Sequence, residues 1–172
     1  MKEEYQKLWE KIRRFELDEP HTTFPFSSRL ARENAWEIDY TLRVMLEYKK
    51  FMFLLCISPH PLTPSDAVDQ VWHLHLIYSK SYWEEFCQKT LEKTIHHNPT
   101  KGGKKEGEKF KDWYSKTLDF YVHIFEQSPP SDIWLAPNKR FKEIHFQRVN
   151  TQQNWIIPKP QWLKHLWKFF KN

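Results

Sequence analysis

Residues able to do chemistry gather in one stretch, Thr63 to Cys87, which reads TPSDAVDQVWHLHLIYSKSYWEEFC. Acid, imidazole, indole and thiol groups meet there in what reads as a single helix. On a helix, residues four apart are neighbours, whereas residues two apart point about 200° away from each other. Asp69 and His73 can therefore touch, while His73 and His75 cannot easily share one ion. A carboxylate that accepts one imidazole N–H fixes the tautomer and frees the other nitrogen to ligate a metal or move a proton. Asp69 and His73 are the candidate acid–base pair on this ground. His75 faces Ser79 and Tyr82 instead, whose hydroxyls can satisfy it without a metal.

Further ligands are available where His96 and His97 precede Asn98-Pro99, since the proline stiffens the chain beside two imidazoles. Two histidines with a carboxylate or thiolate form the usual shell for zinc or non-haem iron, with an open position where the site is catalytic. The candidate shell is His73 or His75 with His96 or His97, and Asp69 or Cys87 nearby. A plainer reading stands beside it. Histidines in an aromatic-rich core are commonly hydrogen-bonded packing residues, and Cys87 suits the part of a small buried hydrophobe. Lys101-Gly102-Gly103-Lys104 has the composition of a phosphate loop but reads more simply as a solvated helix start. No GxSxG, HExxH, CxxC or phosphate-cradling glycine loop occurs, which removes the commonest hydrolase, zinc-protease and nucleotide readings.

The helix that carries these groups is expected over about residues 64–89, with Thr63 as its N-cap, Pro64 at its first position and Asp66 completing a capping-box-like start. Large apolar groups lie on all its faces, so it should be the element that others wrap, with His73 and His75 shielded from solvent. Amphipathic periodicity predicts a helix over about residues 3–17 and a short one capped by Ser27 or Ser28 and running to Glu33. Another runs from Trp36 to Ile57, apolar all round beyond Lys50, and another from Phe110 to Phe125. Only three glycines and few alternating apolar runs argue against hairpins. The expected fold is an all-α bundle over residues 1–141, followed over residues 142–172 by a loosely structured basic tail.

That tail holds most of the positive charge. The formal net charge is +5, yet residues 1–132 carry 19 Lys and Arg against 21 Asp and Glu, and residues 133–172 carry 8 against 1. A nucleic-acid binder is expected to show a domain-wide basic face, so nucleic acid is not an expected partner. The amphipathic segment Gln161 to Phe170, with Trp162, Leu166 and Trp167 set against Lys164, Lys168 and Lys171, suits a protein partner or an anionic membrane surface, engaged through residues 155–172. Packing back onto its own domain is the plainer alternative. The two cysteines sit singly in apolar patterns and no signal-like segment opens the chain, so the cytosol is the expected compartment. The longest apolar run, Phe51 to Ile57, falls well short of the roughly 20 residues that span a bilayer.

Several words of the sequence occur together: Arg29-Leu-Ala-Arg-Glu-Asn, the run Pro64-Ser-Asp-Ala-Val-Asp-Gln-Val-Trp-His-Leu-His-Leu, Ser81-Tyr-Trp, Phe86-Cys87, and His96-His-Asn-Pro-Thr-Lys-Gly-Gly. Over about residues 24–141 they resemble the glycine-rich domain-containing protein-like family, a domain of unknown function found in bacteria and in plant glycine-rich proteins. The resemblance implies that Asp69, Trp72, His73, His75, Tyr82, Cys87, His97 and Pro99 are the motif positions, and it implies no reaction. The glycine-rich tail of the plant members is missing, its place taken by the basic aromatic segment.

Overall fold

The computed structural model describes residues 3–98, 101–141, 149 and 152–157. The chain divides into two units, Met1–Lys142 and Glu143–Asn172, and every helix below belongs to the first. In order these are α1 (Glu3–Arg14), α2 (Phe26–Asn34), α3 (Ile38–Ile57), α4 (Asp66–Ile77), a π-helix π1 (Ser81–Leu91), α5 (Lys104–Phe125) and the single turn α6 (Pro137–Arg140). The fold is all-α, with no strand among the described residues. The expected helix from Gln161 to Phe170 lies outside them, as does Pro99. No helix of the described residues is long and apolar enough to cross a membrane.

The apolar half of α3 explains how the helices are arranged. Phe51, Met52, Phe53 and Leu54 are all fully buried, so α3 needs neighbours around its whole circumference there, and it packs against α1, α2 and α4. Ser58 and Pro59 then end it. A carboxylate is buried with it: Glu47 accepts from Lys50 at 2.8 Å, from Tyr121 Oη at 3.2 Å and from Trp134 Nε1 at 2.8 Å. This pins α5 and the segment beyond it to α3, since a buried carboxylate is tolerated only when paired and hydrogen-bonded.

Two helix caps differ from those expected, and α5 starts at Lys104 rather than Phe110. Ser65, not Thr63, caps α4, its Oγ accepting from Val68 N–H at 3.2 Å. Thr63 is instead used across the fold, its N–H donating to Thr117 Oγ1 of α5 at 3.0 Å. At α2, Ser27 does not act as the cap; its own N–H and Oγ donate to Asp18 Oδ1 and Oδ2, both at 2.7 Å. The capping acid thus arrives from the preceding loop, which a local pattern cannot register.

The expected helix over residues 64–89 is broken. α4 ends at Ile77, Tyr78 leaves helical geometry at φ −79° and ψ 61°, and the chain resumes as π1. The buried residues of π1 are Tyr82, Phe86, Cys87 and Leu91. Their spacing of four, one and four suits the wider turn of i→i+5 hydrogen bonding and would smear across an α-helix. One face of α4 is also open, because burying His75 turns His73, two residues away, toward solvent. His75 is fully buried, while the side chain of His73 is 52% exposed. The expectation that both histidines are shielded holds only for His75.

Candidate functional site

Asp69 sits in the first turns of α4, well fixed by the Ser65 cap, and His73 lies one turn further along the same face. Their helical relationship leaves His73 Nε2 3.9 Å from Asp69 Oδ2. The nearer partner of the carboxylate comes from the loop after π1. His97 Nε2 lies 2.8 Å from Asp69 Oδ1, a hydrogen bond across 28 positions of sequence in which the imidazole N–H donates. Asp69 therefore orients His97 more directly than it orients His73.

Two ring contacts complete the placement of His97. Its imidazole stacks on His73, with centroids 4.7 Å apart and planes 18° from parallel, and it lies 4.2 Å from the Trp72 ring. The Asp69 and His97 side chains are 19% and 16% exposed, so their bond is largely shielded from water and worth more than a surface pair. One ligating atom from each of Asp69, His73 and His97 lies within 4.8 Å of the others. Donors about 2.1 Å from a common ion sit about 3–3.5 Å from one another. Ligation of one ion by all three would require the near-parallel His73 and His97 rings to turn and the His97–Asp69 hydrogen bond to break.

The other sequence candidates do not join this cluster. His75 is enclosed by the rings of Phe15, Phe26, Tyr48, Tyr82 and Phe86, all with centroids within 6.0 Å. Both its nitrogens are engaged, Nδ1 with Tyr48 Oη at 2.8 Å and Nε2 with Ser81 Oγ at 3.1 Å. Burial pushes the Tyr48 phenol well above its usual range, so it stays protonated beside Nδ1, and which group donates in each contact follows from the imidazole tautomer. The same burial lowers His75 to about 3, which keeps the ring neutral. Its hydroxyl partners are Tyr48 and Ser81, not the Ser79 and Tyr82 of a continuous helix, because the chain departs from helical geometry at Tyr78. His96 is exposed and turns to Trp83, 5.6 Å away. Cys87 is 1% exposed, and burial raises its thiol. It acts as core in this arrangement.

Sequence reading did not find what holds the His97 loop. Trp72 Nε1 donates to Tyr82 Oη at 2.9 Å, and Tyr82 Oη donates to the Ile95 carbonyl at 2.6 Å. The signal available was the presence of an indole and a phenol with polar tips in a buried helix, since such tips need partners. Which atoms they meet depends on a loop closing back over α4.

No curated protein and no solved structure matches the chain. A family model described as UCP032817-like matches residues 12–114, a span that contains α4, π1, the His97 loop and every residue of the Asp69–His73–His97 cluster. The match supports the sequence reading as far as a family, and it does not carry the glycine-rich name. By that match over more than half its length, the chain belongs to the UCP032817-like family.

Proposed function

We propose that Asp69, His73 and His97 bind one divalent transition-metal ion, zinc or iron, in a site with open coordination positions. The observation that carries this reading is the convergence of two imidazoles and one carboxylate within 4.8 Å, drawn from a helix and a loop far apart in sequence. Two histidines and a carboxylate are the donor set of many zinc and non-haem iron sites, and three protein ligands leave room for water or a substrate. An ion held there would polarise that water or substrate, which is the chemistry such a site offers. Ligation through His97 Nε2 moves the imidazole proton to Nδ1. The free thiols Cys56 and Cys87 are consistent with the cytosol as the compartment in which it works.

Metal analysis of protein purified without an affinity tag tests the reading. About one ion per chain is expected, lost in a His73→Ala, His97→Ala double variant. Stoichiometric metal that survives in the double variant would rule out these ligands.

The 2.8 Å bond between His97 and Asp69 favours a second reading, in which the pair moves a proton with no metal present. In that case the imidazole NMR signals of His97 stay unmoved when Zn²⁺ is added. Under the metal reading, Zn²⁺ shifts them.

A further inference from the structure

We infer that Tyr82 is the positioning residue of the site: its hydroxyl, held between Trp72 and the Ile95 carbonyl, keeps His97 against Trp72 and within reach of Asp69. The metal reading enters this inference only through its affinity readout.

Three features support the role. Tyr82 is fully buried and its hydroxyl is used in both directions, accepting from the indole at 2.9 Å and donating to Ile95 at 2.6 Å. Ile95 lies only two residues before His97, so fixing its peptide plane limits where the imidazole can go. Trp72 takes part twice, through its N–H to Tyr82 and through its ring beneath His97. The relay closes a loop from α4 to π1 to the ligand loop and back to α4.

The π-helix has a purpose in this arrangement. Tyr82 and Cys87 are five residues apart, which on an α-helix would place them about 140° apart. The i→i+5 geometry of π1 brings both to the buried face that meets Ile95. Groups that orient a ligating histidine from outside the coordination shell typically change metal affinity by about 10- to 100-fold when removed.

The experiment compares wild type and Tyr82→Phe as full-length protein, with two readouts. The first is metal-free: the ring protons of His97, shifted by the Trp72 ring current, should move toward unperturbed positions in the variant. The second is Co²⁺ titration followed by its visible spectrum, where affinity should fall about tenfold or more and the band shape should change. His97 signals that keep their wild-type positions in folded Tyr82→Phe overturn the inference, whatever the metal does. If wild type binds no Co²⁺ yet the His97 signals move in the variant, the positioning role stands and the metal reading falls. Should Tyr82→Phe fail to fold, Trp72→Phe keeps a ring beneath His97 and removes the indole donor. Faster amide exchange confined to residues 95–98 is then expected, and unchanged exchange there overturns the relay.

Discussion

The imidazole of His97 donates to the carboxylate of Asp69 at 2.8 Å, and this bond ties the loop after π1 to the first turns of α4. It is the shortest link between the two segments that share the candidate site, and it is partly buried. Replacing Asp69 with Asn keeps the shape and removes the charge. Asp69→Asn should cost about 1–2 kcal/mol of stability in urea unfolding, the difference between a charge-assisted and a neutral hydrogen bond together with imperfect pairing. It should also weaken Zn²⁺ binding by more than tenfold, measured by calorimetry. Asp69→Asn with wild-type affinity would remove the carboxylate from the site.

The neutral state of His75 makes stability depend on pH. The folded ring titrates at about 3 and an unfolded one near 6.5, so below 6.5 the unfolded chain binds a proton that the folded chain refuses. The stabilisation is fully present above pH 6.5 and declines as pH falls toward 3, at up to about 1.4 kcal/mol per pH unit. His75→Gln should be less stable than wild type at pH 7, with the two stabilities converging as pH falls to 4. Parallel stability curves for the two proteins between pH 7 and 4 would show that His75 does not resist protonation.

The carboxylate of Glu47 is surrounded by donors on three elements and is 3% exposed. Removing it leaves the largely buried Lys50 beside Tyr121 with no counter-charge, an arrangement that costs up to about 3–5 kcal/mol when burial is complete. Glu47→Ala should lose up to that much in denaturant unfolding, and Glu47→Gln markedly less because it can still accept from Trp134. Equal losses for the two would mean that the charge is unimportant.

Neither thiol is built to react. Burial pushes Cys56 up to about 11 and raises Cys87 as well, so the thiolate fraction at neutral pH is small. Both should resist iodoacetamide at pH 7 in the folded state and react readily in urea. Cobalt bound to the native protein should show no thiolate charge-transfer band, and Cys87→Ser should leave the Co²⁺ spectrum unchanged. A thiolate band lost in Cys87→Ser would return Cys87 to the ligand set.

Sequence by itself determined most of the helices, because amphipathic periodicity is a local property: α1 and α3 lie where the three- and four-residue spacing of apolar groups puts them, and α5 does so from Phe110 onward, its polar start at Lys104 preceding the periodic run. It also determined that Asp69 can meet His73, and that His73 and His75 serve different surroundings, since both follow from the angle per residue on a helix. The tertiary structure decided the rest. The break at Tyr78 rotates Ser81, in place of Ser79, to His75, and the lining of that pocket comes from Phe15 after α1, from α2, from α3 and from π1. Whether His96 or His97 reaches α4 depends on the plane of one peptide, Ile95, which Tyr82 holds from another helix. Hydrogen bonds between residues tens of positions apart have no local period, so no pattern along the chain records them.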